Sequence, residues 1–437
     1  MIQKEQIFNE AFHLDIQQTK PSLSTATVIV PAAIVTTLYQ DAIKTQQMEV
    51  QAYGFQKGNA PVGYIEQNFK QSLIDHLKEF LLRYFVLYFL IDELTRKKIL
   101  IAGEPRFKEA HIIPGQDAHF LFEFSVFPAI QFQDWKYFPF KAPKRKNYKD
   151  LDRQVETFIE EETKARENHN DGTIAIGDWV NFTARPITKE GIPIFGDQKN
   201  SLWLKIGDEE VDRPFHELFL HKQKGYSFIT DNEQLHECFS SSIDNKTKFL
   251  VTIEDSLAHS YFCIDNFKHH FKLKTNKEVY QKLIEVFSYR NDISQRRAMV
   301  EESLKLLLSK HRFDVPNYLV LRQQHEILST IQSNPDFYVY RVQKDFEQRI
   351  QELALKQTKE KLLLDQLAYN ENITVNHQDI KAYLNMLKRK WTKEFIYFDP
   401  LQTKIHGQEF PVNAIELAHI CLREKTINHI IYHLTKK

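Results

Sequence analysis

The segment from Gly54 to Pro61 (Gly-Phe-Gln-Lys-Gly-Asn-Ala-Pro) constrains the chain most strongly, because helical patterns lie on both sides of it. Two glycines and a proline within eight residues break such patterns, so the segment predicts a tight exposed loop between two helices. Its tip carries a large apolar side chain, Phe55, beside the cation of Lys57. Loop tips usually carry small or polar residues, since an exposed phenyl ring gains nothing from water. Either Phe55 folds back onto the two helices, or it anchors a partner while Lys57 faces a phosphate or carboxylate.

The length and the charge balance limit the class of protein. A chain of 437 residues is long enough for about two to four domains, and an apolar share of 42% is enough to form buried cores. Lys and Arg number 58, as do Asp and Glu, so the formal net charge is zero. This balance argues against a protein that coats nucleic acid through bulk electrostatics, although it leaves room for a local basic patch.

The cysteines and the apolar runs indicate a cytoplasmic protein. Cys238, Cys263 and Cys421 are odd in number and far apart, so the sequence predicts neither a disulfide framework nor a zinc site. The N-terminal residues are polar and mixed in charge, without the apolar stretch of a signal peptide. The longest apolar run, Phe80 to Ile91, is interrupted by Arg83 and is too short to span a bilayer. We therefore expect no membrane partner.

Common motifs for nucleotides, metals and catalytic nucleophiles are missing from the sequence. It contains no GxGxxG or GxxxxGK[ST] phosphate loop, no HExxH metal motif and no GxSxG nucleophile elbow. His269 and His270 are adjacent, and neighbours on a helix point to different sides, so they form a poor metal pair. We expect no cofactor, no metal and no nucleotide.

The residues around the loop predict a small α+β domain. A period of two predicts a strand at Ala26 to Val30, and a helix is predicted at Ala32 to Val50. Beyond the loop, apolar residues at three- and four-residue spacing predict a long helix or a kinked pair from Val62 to about Lys97. Strands are predicted at Ile99 to Ile101 and at Phe120 to Val126. This order places the loop at the end of a helical hairpin, where it projects toward a partner.

The loop resembles the ribosome-docking signature of the trigger factor family, Gly-Phe-Arg-x-x-Lys-x-Pro. The matching residues are Gly54, Phe55, Pro61 and, at the basic position common after the Arg, Lys57. Gln56 replaces the Arg, and Asn59 replaces the second Lys. The resemblance makes residues 54–57 the expected ribosome-binding residues. Because each neutralised phosphate adds to affinity through counterion release, docking should be weaker and less salt-dependent than the family's.

Residues 129–172 predict a linker with one helix. A basic run with two prolines precedes the helix predicted from about Asp150 to Glu167; its cations are Lys141, Lys144, Arg145, Lys146 and Lys149. Such a run usually belongs to a solvated linker, and contact with phosphate is the alternative. The family resemblance implies an extended linker with one helix in this place.

Residues 173–256 predict a β-rich domain with short segments between turn signals. Strands are predicted at Trp179 to Ala184, Ser201 to Ile206, Tyr226 to Thr230 and Thr247 to Ile253, with a short helix at Pro214 to Phe219. The pattern resembles an FKBP-type prolyl isomerase domain. Prolyl isomerisation needs no acid, base or metal, because an aromatic, water-poor groove can bind the twisted amide better than the planar one.

The resemblance implies a catalytic groove formed by Phe182, Phe195, Trp203, Val211, Phe215 and Phe249. The sequence departs from the family there, since Ala184 stands where the family has a glycine after Phe-Thr. The glycine before the ring at Phe215 is also missing. The alternative is that these aromatic residues are only the core of a small half-barrel.

Residues 257–437 predict a helical region. Apolar stripes run through it, Asn376 is a plausible helix N-cap, and the last helix is predicted at Pro411 to Leu434. The segment from Trp391 to Phe410 is irregular and is expected to expose its aromatic side chains. Long helices joined as arms leave apolar grooves open, and large apolar patches usually mark binding surfaces. The segment from Lys282 to Lys388 resembles the family's chaperone region for unfolded chains.

The sequence therefore predicts a multidomain α+β chaperone that resembles trigger factor. The expected segments are a ribosome-binding α+β domain (1–128), a linker (129–172), and an FKBP-like domain (173–256) inserted before a long-helix chaperone domain (257–437). The expected partners are the ribosome, through protein and RNA at the nascent-chain exit, and unfolded nascent polypeptides, without ATP. Two alternatives stay open: a protein that is chiefly a prolyl isomerase with helical arms, and a holdase independent of the ribosome.

Overall fold

The structure is a computed structural model of the chain. It describes residues 12–20, 23–51, 53–82, 86–97, 99, 101–127, 130–132, 134–143, 150–168, 172–187, 201–235, 248–290, 293–332, 337–387, 392–405 and 407–436. The chain divides into two compact units, which are Met1–Ala129 with Asp314–Ala354 (unit 1) and Ile130–Phe313 with Leu355–Lys437 (unit 2). The four segments expected from the sequence stay a prediction.

The N-terminal part of unit 1 is an antiparallel sheet with helices. Its elements are β1 (His13–Lys20), β2 (Leu23–Val30), α1 (Ala32–Glu49), α2 (Val62–Leu81), α3 (Leu87–Arg96), β3 (Ile101–His111) and β4 (Ala118–Val126). The strands lie in the order β1-β2-β4-β3. In β2 every second residue is buried, and Val28 lies opposite Phe120 of β4. One face of the sheet therefore forms the core of this unit, as the period of two predicts.

Prolines determine where the first two helices begin. Pro31 precedes α1 and Pro61 precedes α2, with φ of −59° and −60°. Proline fixes φ near the helical value and has no N–H to leave unpaired in a first turn, so it suits a helix start. The helix expected from Val62 to about Lys97 is a pair, α2 and α3. Strand β1 was not predicted, because this strand at the edge of the sheet alternates poorly.

The rest of the chain is mixed in its middle and helical afterwards. The elements are α4 (Leu151–Glu167), β5 (Trp179–Ile187), β6 (Ser201–Lys205), α5 (Arg213–Phe219), β7 (Ser227–Thr230), β8 (Lys248–Leu257), α6 (Ile264–Phe271), α7 (Asn276–Phe287), β9 (Tyr289–Arg290), β10 (Ile293–Ser294), α8 (Gln295–Lys310), α9 (Asn317–Gln332), α10 (Phe337–Arg341), α11 (Phe346–Asn370), α12 (His377–Met386), β11 (Lys404–Ile405), β12 (Gln408–Glu409), β13 (Val412–Asn413) and α13 (Ala414–Thr435). The predicted α+β class and the predicted strands β5 to β8 are confirmed.

The β-rich layer, which we define as β5 to β8 with α5 and β13, lies within unit 2. Its strands are antiparallel in the order β13-β6-β5-β8-β7. The strand β13 comes from near the C-terminus, and its Val412 lies opposite Trp203 of β6. The last helix was expected from Pro411, but it begins at Ala414, because Val412 and Asn413 pair with β6.

Reciprocal capping boxes fix the starts of two α-helices in unit 2, α12 and α7. The N–H of Asp379 donates to Asn376 Oδ1 at 3.0 Å, and the N–H of Asn376 donates to Asp379 Oδ2 at 2.8 Å. This capping box satisfies two backbone donors at once and confirms Asn376 as an N-cap. Thr275 and Glu278 form the same arrangement at the start of α7.

The expectation of exposed aromatic residues between 391 and 410 is wrong for the residues that the structure describes. Phe395 is buried, and Tyr397 and Phe398 are half-buried. Glu424 of α13 accepts hydrogen bonds from the N–H groups of Tyr397 and Phe398, both at 2.9 Å, and these bonds hold the segment against the helices. Trp391 lies outside the described residues.

None of the described helices combines the length and the apolar character that a bilayer-spanning helix needs. Within the described ranges, no three or more His, Cys, Asp or Glu side chains form a group that could hold a metal ion.

Candidate functional site

The docking loop, which we define as residues 53–61, connects α1 to α2. Gly54 and Gly58 both adopt φ of +88°, a left-handed conformation that other residues reach only with strain. The N–H of Asn59 donates to the carbonyl of Gln56 at 3.0 Å and closes a turn. Gln47 of α1 donates from Nε2 to the carbonyl of Ala60 at 2.6 Å, which ties the end of the loop to the helix. The two glycines and these bonds give the loop a defined shape.

Phe55 and Lys57 are both exposed on the docking loop. Phe55 keeps 41% of its surface exposed, although its ring centroid lies 5.6 Å from that of Tyr64 on α2. The side chain therefore folds back in part and still presents an apolar face to solvent. Gln56 and Gly54 are exposed beside it. The loop thus offers one apolar ring and one cation within three residues, as its sequence predicts.

A second exposed apolar surface lies at the hairpin tip, which we define as residues 337–342. The tip joins α9 to α11, and these helices pack through Val320, Ile327, Ile350 and Ala354. Tyr338 is 75% exposed and Val342 is 80% exposed, with Val339 and Tyr340 also exposed between them. An apolar cluster of this kind on a polar helical hairpin is typical of a binding surface.

Sequence reasoning did not single out the hairpin tip. The signal was present, because five of the six residues from Phe337 to Val342 are aromatic or aliphatic. The run is too short to show a helical period, so periodicity alone could not assign it to a core or to a surface.

Of the rings expected to form a catalytic groove, those that the structure describes belong to two different cores. Phe182, Phe215 and Phe249 are each at most 1% exposed and lie in one cluster under the β-rich layer. The ring centroid of Phe182 lies 4.8 Å from that of Phe219, which was not a predicted site residue. The structure therefore brings these three side chains together as buried neighbours.

Trp203 lies on the other face of the same sheet. Side chains alternate along a strand, so Trp203 points away from Leu202 and Leu204, which face the first cluster. Trp203 is fully buried among side chains of the helices and stacks on His377 with ring centroids 5.3 Å apart. Val211 is 50% exposed, and Phe195 lies outside the described residues. A catalytic role for this set stays a prediction.

An ion-pair cluster fixes the contact between β8 and α12 beside Trp203. Asp255 accepts from Lys381 Nζ at 3.1 Å and lies 2.9 Å from His377 Nε2. Burial opposes ionisation of this carboxyl, but the charge of Lys381, the N–H of Ser256 and the bonds to Lys381 and His377 hold the pKa of Asp255 below its usual value. The cluster and the Trp203–His377 stack together join the β-rich layer to the helices of unit 2.

Comparison with known proteins identifies the family. The family model described as "Bacterial trigger factor protein (TF)" matches residues 13–161. The model described as "Bacterial trigger factor protein (TF) C-terminus" matches residues 274–431. The first match contains the docking loop, and the second contains the hairpin tip.

Curated relatives carry the same name. The chain is 26% identical over 244 residues to the trigger factor of Mannheimia succiniciproducens. The aligned residues make up 55% of this chain and 54% of that protein. The chain therefore spans about half the length of that relative. The match to the trigger factor of Geobacter metallireducens is longer, with 23% identity over 84% of this chain and 86% of that protein. The trigger factor of Rickettsia canadensis is 22% identical over 80% of this chain and 79% of its own length.

The chain also matches a solved structure described as "Promiscuous Substrate Recognition in Folding and Assembly Activities of the Trigger Factor Chaperone". It is 16% identical, and the match covers 96% of this chain and 100% of that chain with a TM-score of 0.39. That TM-score is too low to establish a shared arrangement of the domains. The family models decide the assignment, because together they match more than half of the residues, and the chain belongs to the trigger factor family.

Proposed function

We propose that this protein is an ATP-independent cytoplasmic chaperone that docks at the ribosomal exit and shields unfolded nascent chains. The observation that carries the proposal is the docking loop, where Phe55 stays exposed on a backbone shaped by Gly54 and Gly58. An apolar ring that is held in place and not buried in its own fold can act as an anchor for a partner. Family membership supports the ribosome as that partner.

Docking would combine one anchor and one cation. Burial of the Phe55 ring in a pocket of ribosomal protein would supply apolar free energy at about 25 cal/mol per Å². Lys57, exposed two residues away, would face RNA phosphate. Because Gln56 and Asn59 are uncharged, the loop itself offers few counterion-release contacts. We therefore propose reversible docking with a shallow dependence on salt.

The hairpin tip would hold the client. Its exposed side chains at Tyr338, Val339 and Val342 can bury apolar segments of an unfolded chain without any particular sequence, because the hydrophobic effect is not directional. The ordering cost of the client offsets much of this gain, so that binding is loose and release needs no nucleotide.

Co-sedimentation with ribosomes tests the docking proposal. We expect the wild type to pellet with ribosomes and Phe55→Ala/Lys57→Ala to remain mostly in the supernatant. The matched control is Ile113→Ala/Lys70→Ala, which also removes one exposed apolar side chain and one exposed lysine from unit 1. Equal pelleting of the wild type and the loop variant would reject the loop as the docking site and would favour a ribosome-independent holdase.

Suppression of aggregation tests the client surface. We expect Tyr338→Ser/Val339→Ser/Val342→Ser to lose most of the protection that the wild type gives to a denatured client diluted into buffer. The control replaces three exposed apolar residues of unit 2 by serine, namely Ile176, Ile405 and Tyr432. If the control loses as much protection as the tip variant, the tip has no special role.

Prolyl isomerisation by the β-rich layer remains the other activity to test. Catalysis would require Phe182, Phe215 and Phe249 to face a bound peptide, whereas they are buried against one another. The test uses the full chain, since β13 belongs to the sheet. A rate of isomerisation of a proline peptide that falls about tenfold or more in Phe215→Leu, with the fold retained, would support the predicted groove.

A further inference from the structure

A basic cavity lies in unit 2 and is lined by residues outside the docking loop and the hairpin tip. It has a volume of about 330 Å³ and is lined by Lys268, His269, His270, Lys272, Leu273, Asp379, Cys421 and Lys425. These residues come from the end of α6, the first turn of α12 and the middle of α13. The volume is at the lower end of the range for small-molecule pockets and corresponds to roughly ten water molecules.

The charges around the cavity do not cancel. Asp379 accepts from Lys425 Nζ at 2.8 Å and lies 3.0 Å from His269 Nε2, so Lys425 already neutralises this carboxylate. Lys268 and Lys272 have no ion-pair partner within the part of the chain that the structure describes. Two lysine charges therefore remain at one small cavity, on a chain whose net charge is zero.

The backbone at the cavity does not oppose an anion strongly. The C-terminal carbonyls of a helix repel negative charge when they are free. Here the N–H of Leu273 donates to the carbonyl of Lys268 at 2.9 Å, and the N–H of Lys272 donates to the carbonyl of His269 at 3.2 Å. Lys272 adopts φ of +53° in this helix end, which directs the chain around the cavity.

His270 supplies a further polar group on the cavity wall. Its ring nitrogen Nε2 is buried and has no hydrogen-bond partner among the described residues. Burial, together with the charge of Arg296, lowers the pKa of His270 to about 3, so the ring is neutral at pH 7 and can donate one N–H. The ring therefore adds no charge to the cavity wall, and the cationic character of the cavity comes from its lysines.

We propose that this cavity is a binding site for a compact, multiply charged phosphate anion, held by Lys268, Lys272 and Lys425. A single carboxylate would neutralise only one of the two uncompensated lysines, whereas a diphosphate, or two neighbouring phosphodiesters of an RNA backbone, carries enough charge for both and has further acceptor oxygens for Lys425. The phosphate could be free in solution or part of an RNA backbone. The residues that line the site belong neither to the docking loop nor to the hairpin tip.

Calorimetric titration of the full chain with inorganic pyrophosphate tests the site. We expect saturable binding in low salt with a Kd below about 1 mM, weakened roughly tenfold or more in Lys268→Gln/Lys272→Gln. The control is Lys70→Gln/Lys344→Gln, which removes two exposed lysines of unit 1 and should bind as the wild type does. An unsaturated titration up to about 10 mM, or equal affinity in the cavity variant, would overturn the proposal.

A variant that is expected to strengthen pyrophosphate binding distinguishes a loss of charge from damage to the fold. Asp379→Asn keeps an acceptor for the cap of α12 but removes the negative charge that occupies Lys425. We expect pyrophosphate to bind this variant more tightly than the wild type, whereas unchanged or weaker binding would contradict the assignment of the cavity as a net cationic site.

A competition experiment distinguishes RNA backbone phosphate from free phosphate anions as the ligand. A single-stranded uridine oligonucleotide is added to the pyrophosphate complex at equal total phosphate. Displacement of pyrophosphate from the wild type would assign the site to RNA backbone phosphate, and retention would assign it to free phosphate anions. The proposal fails if the oligonucleotide binds the wild type and Lys268→Gln/Lys272→Gln equally well while pyrophosphate binds neither.

Discussion

The docking loop and the β-rich layer both carry aromatic residues that sequence patterns associate with binding, but the structure treats them differently. Phe55 is 41% exposed on a loop, whereas Phe182, Phe215 and Phe249 are at most 1% exposed. A buried ring already contributes its apolar surface to folding, and an exposed ring has that surface available for a partner. Exposure, which local sequence does not show, therefore separates a candidate anchor from a core residue.

The largest expected effect is on the stability of the β-rich layer. Phe215→Ala should lower the free energy of unfolding by about 3–5 kcal/mol, because it leaves a cavity among Phe182, Phe249 and their neighbours. Phe55→Ala should change it by less than about 0.5 kcal/mol. Urea unfolding followed by fluorescence or circular dichroism measures both. Similar stabilities for the two variants would remove the distinction between them.

A buried charge gives the next largest effect, and it depends on pH. Burial raises the pKa of Glu424 from its ordinary value of 4.5 to about 7. The N–H of Phe398 and the charge of Arg296 lower this pKa, but burial has the larger effect. Since the folded pKa is the higher one, the contribution to stability is complete below about pH 4.5 and is lost as the pH rises through about 7. At about 1.4 kcal/mol per pKa unit, the loss is about 3 kcal/mol.

Glu424→Gln tests this pH dependence. Glutamine still accepts from the N–H groups of Tyr397 and Phe398 but does not titrate. Between pH 5 and pH 8 the free energy of unfolding should fall further in the wild type than in the variant, by up to about 3 kcal/mol. Urea unfolding across that pH range measures this difference. Parallel stability curves for the two proteins would show that Glu424 does not titrate there.

Sequence could predict the elements whose signals are local. The docking loop, the N-cap at Asn376 and the strands β5 to β8 depend on nearby glycines, prolines, caps and alternation. Features that depend on distant segments were missed or wrong. Phe395 was expected to be exposed and is buried, and the sequence did not show that Trp203 and Phe215 lie in different clusters. Trp203 lies opposite Val412 of β13, and the segment of Phe395 is held by hydrogen bonds to the carboxylate of Glu424. Both contacts come from residues distant in the sequence, so neither appears in the local pattern.

A smaller effect concerns the backbone of the docking loop. Gly58→Ala should destabilise by about 1–2 kcal/mol and weaken docking, because φ of +88° disfavours any residue with a Cβ. Gly63→Ala is the matched control, since it lies in α2 without a positive φ and has open space around it. There alanine should stabilise by up to about 1 kcal/mol. Thermal unfolding measures the change in stability of each variant. A change of the same sign in both would show that the positive φ at Gly58 is not required.

The affinity for ribosomes across a salt series tests the central claim most directly, with Phe55→Ala and Lys57→Ala measured separately. We expect Phe55→Ala to weaken binding at every salt concentration without changing the slope of log affinity against log salt. Lys57→Ala should reduce that slope by about 0.7–0.9, the contribution of one phosphate contact. Curves for both variants that coincide with the wild type would contradict docking through the loop.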